Sequence, residues 1–168
     1  MTTRTTTRTT THTSPGAEPV PGTTDQVDVR GPRFAAWITT AALLAVLMVS
    51  AVSPAAAAAL LAGQGIVFAL GALHGPRRHP YGLIFSRLVA PRLGPVTERE
   101  PAAPLRFAQL VGLVFALAGL AGFALGAPLA GVIATAFALA AAFLNAAFGI
   151  CLGCQLYPLV HHVRRSRR

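Results

Sequence analysis

The sequence predicts an all-α membrane protein with four transmembrane helices, arranged as two tandem helical hairpins, on three observations. Of 168 residues, 54% are apolar and only 11% are charged, proportions outside those of soluble domains. The charges are segregated: Asp, Glu, Arg and His are absent between Phe34 and Leu73 and again between Phe107 and Val160. Apolar runs above about 18 residues mark membrane spans, and each region is long enough for two. Finally, each region is divided near its middle by a proline, Pro54 and Pro128.

Residues 1–30 are rich in Thr and Pro and have almost nothing to bury, so a disordered tail is expected there. The membrane domain is expected over residues 31–160. Its first span covers about 34–52, behind the basic flank Arg30-Gly-Pro-Arg33 and with Trp37 at interfacial depth. Ser53-Pro54 turns the chain, because proline suits the first turn of a helix and not its interior. The second span covers about 54–73, and His74-Gly75-Pro76 stops it. A basic loop over 74–105 follows. Within it Leu83–Ala90 is apolar but too short to span, which suits a helix in the headgroup plane with Arg87 snorkelling, or an apolar patch on the bundle. The third and fourth spans cover about 107–125 and 128–150, with the turn at Gly126-Ala127-Pro128, and residues 161–168 form a basic tail.

The second half echoes the first. Arg33-Phe34-Ala35 returns as Arg106-Phe107-Ala108, and Pro54 returns as Pro128. A duplicated pair of spans gives a parallel repeat about an axis along the membrane normal. Gly119, Gly122 and Gly126, with Ala118 and Ala121, allow close helix approach, and Gln64, Gln109, Thr135 and Asn145 are candidates for hydrogen bonds between helices. Asn145, about nine helical positions before Cys154, is expected on the opposite face from it and not to serve the thiols directly.

All 14 basic residues are arginine and the formal charge is +9. They lie beside apolar segments without interleaved aromatics, so lipid headgroups are the expected partner and nucleic acid is not. Both hairpin turns are uncharged, whereas the N-terminal flank, the middle loop and Arg164–Arg168 are basic. The positive-inside rule then places both termini and the middle loop in the cytoplasm.

Chemistry is expected at the only two cysteines, Cys151 and Cys154. The fourth span reaches the membrane edge near Phe148, which puts the pair about one turn beyond it, on one face of the same helix. Pro158 should end that helix, so the pair sits at its carbonyl end, where the helix dipole opposes thiolate. Arg77 and Arg78, placed at equivalent depth by the repeat, would counter that effect. Three readings stand. The pair is a reversible dithiol or sulfur acceptor, with Gly153 and Pro158 supplying the freedom to close a disulfide. It supplies two ligands to a soft transition metal, completed by His161 and His162 or by His74 and His79. Or two small residues merely pack at a helix end. Neither a nucleophile with its base, nor a phosphate loop, nor paired carboxylates appear, so no enzyme is claimed.

The runs Arg30-Gly-Pro-Arg-Phe-Ala, Gly71-Ala-Leu-His-Gly-Pro-Arg-Arg-His-Pro-Tyr-Gly-Leu, Arg106-Phe-Ala-Gln and Asn145-Ala-Ala-Phe-Gly-Ile-Cys-Leu-Gly-Cys-Gln-Leu-Tyr resemble the bacterial four-helix membrane family known as domain of unknown function 4395. The resemblance covers about Val29 to Leu159. It implies a bacterial cytoplasmic membrane and, by association, a thioredoxin-like or sulfurtransferase partner. The matching positions are Cys151, Gly153 and Cys154, with His74, Arg77, Arg78, Pro80 and Tyr81. The sequence thus supports a thiol-disulfide or sulfur-handling accessory, against a small carrier for a sulfur species or metal ion, or a scaffold.

Reporter fusions after Thr24, after Ala102 and at the C-terminus should all read cytoplasmic. An external signal from any one of them overturns the four-span topology.

Overall fold

The computed structural model describes residues 26–96 and 98–157. Four long helices dominate: α1 (Arg30–Ser50), α2 (Pro54–His74), α4 (Ala102–Ala124) and α5 (Pro128–Phe148), with the short helix α3 (Pro80–Ile84) between the pairs. The long helices contain 21, 21, 23 and 21 residues. At 1.5 Å per residue these are about 31 to 35 Å long, the thickness of a bilayer's hydrocarbon core. All four are apolar enough to cross a membrane. Only 22 to 33% of the apolar stretch of each is buried against the others, and the outward faces carry Met48, Ile66, Val114 and Leu129. A helix apolar on every side is stable only where its outer face meets lipid.

The starts of these helices follow from local chemistry. Ser53 caps α2, its hydroxyl accepting from the Ala56 amide at 3.2 Å, and Pro54 and Pro128 occupy first-turn positions where no amide is needed. Helices α1 and α4 begin about one turn before the apolar runs at Phe34 and Phe107. At α1 the Asp28 carboxylate accepts from the Arg30 amide at 3.0 Å and pairs with its guanidinium at 2.9 Å, so the helix nucleates on polar residues.

Residues 26–30 were expected within the disordered tail, but they are folded. Strand β1 (Gln26–Asp28) pairs antiparallel with β2 (Arg99–Pro101), Val27 opposite Glu100. Pairing satisfies the backbone of a segment too polar to pack alone. The rest of the expected tail lies outside the described residues. The apolar middle segment continues α3 through a π turn over Phe85–Val89 and a 3-10 turn over Ala90–Arg92. Phe85 is buried against the Phe34 ring at 5.7 Å, while Leu83, Ile84, Arg87 and Leu88 are exposed. One large apolar side chain therefore anchors this segment, while Leu83, Ile84, Arg87 and Leu88 face outward.

The two ends of the bundle differ. Towards the hairpin turns Leu43, Val46, Leu61, Ala116 and Phe123 form a continuous core. There α4 and α5 approach through glycine: a Cβ on Gly122 would overlap the backbone nitrogen of Gly131 and lie 2.8 Å from its Cα. Thr135 is fully buried in this region, but its hydroxyl donates to Gly131 O of its own helix at 2.8 Å, so it is not the interhelical bond expected of it. Adjacent small residues bring the backbones too close for a Thr side chain to need a cross-helix partner. At the opposite end, where both strands and α3 lie, the helices stand around a cavity.

Gly122→Ala should therefore destabilise the protein by about 1 to 3 kcal/mol, the cost of overpacking against a backbone that cannot yield. A Cβ on Gly63 meets nothing within 4 Å, so Gly63→Ala should be neutral or slightly stabilising. Unfolding in mixed micelles followed by circular dichroism measures both, and equal effects would contradict the close approach.

Candidate functional site

The site begins where α5 stops. Gly149 is left-handed at φ 70°; its amide donates to Asn145 O at 3.0 Å, and the Ile150 amide donates to Leu144 O at 3.2 Å. This closure satisfies the last carbonyls and turns the chain away from the helix axis. Cys151 follows outside regular structure, and a separate short helix runs over 152–157. The expectation that both cysteines continue α5 on its carbonyl end is thereby corrected. They lie at the amide end of a new turn, because a left-handed glycine cannot continue a right-handed helix.

Cys151 and Cys154 form a disulfide with their Cα atoms 5.1 Å apart. The Cys154 amide donates to Cys151 Sγ at 3.3 Å, and the Gln155 amide donates to Cys151 O at 3.1 Å. Gly153, between them, is buried on α4: a Cβ there would lie 2.6 Å from Ala108 Cα. The Phe107 and Tyr157 rings meet at 5.9 Å on the same face. Gly153 thus seats the turn on α4. Pro158, His161 and His162 lie outside the described residues. Among the described residues no three His, Cys, Asp or Glu side chains gather as metal ligands.

Cys151 lines a cavity of about 710 Å³ at the open end of the bundle, and Cys154 does not. Asn145 lines it too, whereas Cys154, expected on the opposite face from Asn145, lies off the wall; the break at Gly149 turns Cys151 back toward the bundle interior. The cavity follows α4 from Leu105 to Phe115, a depth of about 15 Å. Its walls are mostly apolar and include Phe68, Phe85, Phe115 and Phe137.

His79 is the residue that sequence reasoning undervalued, naming it only as an alternative metal ligand. It precedes α3, lines the cavity and is 3% exposed, and neither ring nitrogen has a hydrogen-bond partner. The ring lies over Gly71, where a Cβ would be 2.6 Å from His79 Cδ2 and 3.0 Å from Gln109 Cδ. Tyr81 stands edge-on at 5.2 Å, and its hydroxyl donates to Gln64 Oε1 at 2.9 Å. Gln64 Nε2 and Gln109 Oε1 are also buried without partners. Three helical elements therefore bring unspent hydrogen-bonding capacity into one region, where each unpaired group costs stability. Burial pushes the His79 imidazole down to about 4, so at neutral pH it carries one N–H donor and one acceptor nitrogen. Burial also raises the Tyr81 phenol. A signal was present in the sequence, since His79 stands directly before Pro80-Tyr81 in the motif that carries the family resemblance.

The other supporting residues are spread along the rim. Arg77 is exposed, lines the cavity mouth and donates to Gln26 O at 2.8 Å; Arg78 is exposed and lies off the cavity wall; His74 is exposed in the last turn of α2. Two arginines that were not assigned to the site lie against the helix-ending glycines. Arg33 of α1 packs on Gly149, its Nη2 2.8 Å from where a Cβ would stand, and Arg106 of α4 packs on Gly75, with Nε at 2.7 Å. A cation at the carbonyl end of a helix is favourable.

His79 generates a pH prediction. Its folded pKa lies below the ordinary 6.5, so the unfolded chain takes up a proton that the folded chain refuses. Stability in detergent should fall as pH drops through 6.5 and level off below about 4, by a total of about 3 kcal/mol. His79→Gln should flatten this slope. Asp28, held below 3.8 chiefly by its hydrogen bond from Arg30, should contribute its own loss only at still lower pH. An unchanged slope in His79→Gln would mean that the imidazole is not the titrating group.

No curated protein and no solved structure matches the chain. The sequence profile of one family matches residues 27–162, which span all four long helices, α3 and the cysteine pair. The chain belongs to that family, described as domain of unknown function (DUF4395).

Proposed function

We propose that the protein is a membrane-embedded thiol-disulfide carrier whose Cys151–Cys154 pair exchanges with a soluble dithiol partner of the thioredoxin or sulfurtransferase kind. The observation that carries this reading is the hydrogen bond from the Cys154 amide to Cys151 Sγ. When a partner thiolate attacks Cys154 Sγ, the S–S bond breaks and Cys151 leaves with the electron pair. An N–H already aimed at that sulfur favours it as the leaving thiolate. The partner's second thiol then attacks the mixed disulfide, releases Cys154 and leaves the partner oxidised. Cys154 is partly exposed and lies off the cavity wall, which suits contact with a protein.

The exchange is placed on the cytoplasmic side of a bacterial inner membrane. The basic segments support this orientation, because Arg30, Arg33, Arg77, Arg78, Arg87, Arg92, Arg99 and Arg106 all belong to the end of the bundle opposite the uncharged turns. An internal duplication of the two hairpins is supported by the matched contacts of Arg33 with Gly149 and Arg106 with Gly75.

The test is trapping in intact cells with acid quenching and mass spectrometry. Cys151→Ser leaves Cys154 without its intramolecular resolving thiol, and should accumulate a mixed disulfide with a dithiol protein. Cys154→Ser should trap several-fold less. The opposite pattern would reverse the assigned roles. Free thiols in the wild type under both oxidant and sulfane-sulfur stress would sink the exchange reading. A stoichiometric metal lost in Cys151→Ser would replace it with a soft-metal site.

A further inference from the structure

The cavity has features that packing alone does not require. Leu43, Val46, Leu61 and Phe123 fill the turn end of the bundle, whereas the other end is hollow and holds a buried imidazole with two unused nitrogens. An empty site lined this way would forfeit dispersion contacts and leave polar groups unsatisfied. The wall is mainly apolar at depth, where Thr39 is the polar exception, and more polar near the rim. Phe137, which lines it and stacks on Phe115 at 6.2 Å, is also 63% exposed on the flank of the bundle. There the cavity wall is continuous with the lipid-facing surface. The occupant that fits is flat, apolar, soluble in the bilayer and rich in hydrogen-bond acceptors.

One further wall element narrows the choice. Cys151 opens on this cavity. On α4, Ala108 supports the cysteine turn through Gly153, and its neighbour Gln109 packs beside His79 at Gly71. Cys151 and the imidazole therefore line one cavity, beside successive residues of α4. A dithiol closing to a disulfide gives up two electrons and two protons, and a quinone takes up that number of each. A quinone ring also presents carbonyl oxygens to the imidazole N–H, and its quinol presents O–H donors to the acceptor nitrogen and to Gln109 Oε1.

We propose that the cavity is a binding site for a membrane quinone, held through His79, and that the quinone oxidises the Cys151/Cys154 dithiol. This rests on the exchange reading, since it names the acceptor for electrons that the soluble partner delivers. In the balanced step both S–H bonds break, the S–S bond forms, the quinone ring gains the two electrons, and its two oxygens take the two protons to give the quinol. His79 touches the carbonyl oxygen and positions the ring, and Cys151 is the sulfur nearest to it by its place on the wall. A volume of about 710 Å³ lies within the ordinary range of small-molecule sites and holds a quinone head with the first part of its chain.

The experiment uses the full chain, purified and reduced in lipid nanodiscs under anaerobic conditions, with decyl-benzoquinone and a short-chain naphthoquinone as probes. Mixing should produce one quinol per protein and remove both alkylatable thiols. Binding is measured separately by calorimetry on Cys154→Ser, which cannot form the disulfide. His79→Leu should weaken binding about tenfold, the loss of one buried hydrogen bond. Ala141→Phe, which places a ring in the cavity, should abolish binding and quinol formation. It should leave exchange with dithiothreitol intact, and an unchanged circular dichroism spectrum and melting temperature show that the variant is folded. Exchange with dithiothreitol without quinone binding would overturn the quinone site and leave the exchange reading standing. So would a co-purified phospholipid that quinone does not displace. Binding without thiol oxidation would overturn the electron-acceptor role. Failure of both dithiothreitol exchange and quinol formation, with quinone still bound to Cys154→Ser, would remove the exchange reading and the inference with it.

Discussion

At Gly149 the backbone turns left-handed against the Arg33 guanidinium, and the position of the disulfide follows from that turn. If α5 had continued, its next residues would have carried the cysteines along the helix axis, away from the bundle. Instead, two backbone hydrogen bonds close the helix and the chain bends back across the rim. Any side chain at Gly149 would meet both the strained backbone angle and the guanidinium. Arg33 thus ties the start of α1 to the end of α5, and through it the first hairpin supports the site built on the second.

The bundle is tight at one end and open at the other, and the distribution of small and large residues explains why. Gly119, Gly122 and Gly131 let backbones touch near the hairpin turns. Lipid offers no hydrophobic drive for helix association, so such close packing must supply the cohesion. Towards the rim the four helices surround the cavity together with His79 and Phe85, the two-stranded ribbon and the cysteine turn, which line its mouth. Tyr81 ties α3 to Gln64 of α2, giving this covering layer a fixed attachment. The result is a scaffold with a rigid base and a chemically varied mouth.

Within that mouth the groups divide by character. Charged side chains stay at the rim, where water or headgroups solvate them, as with Arg77 and the Asp28–Arg30 pair. Neutral polar groups go deeper, and the buried imidazole belongs to this class because burial removes its charge at neutral pH. A site meant for a charged solute would have placed ionised groups inside the hollow. The walls here suit a neutral molecule that enters from the bilayer.

Much of the fold was legible in the sequence because the bilayer imposes length and apolarity on each span residue by residue, and prolines at Pro54 and Pro128 mark the turns with little dependence on distant contacts. The cysteine pair stood out by its rarity. The strand over Gln26–Asp28 was not legible, since a three-residue strand exists only through its partner seventy or so positions later. The course of the chain after Phe148 was likewise hidden. Gly149 is a stop signal in an otherwise apolar helix pattern, but only the folded structure shows the left-handed stop taken there, with Arg33 of the first helix packed against it. His79 was undervalued for the same reason. Spacing along one helix says where a side chain points on that helix. Whether it faces lipid, a neighbour or a cavity is decided by how four helices and a covering layer meet, and that is a property of the assembled tertiary structure.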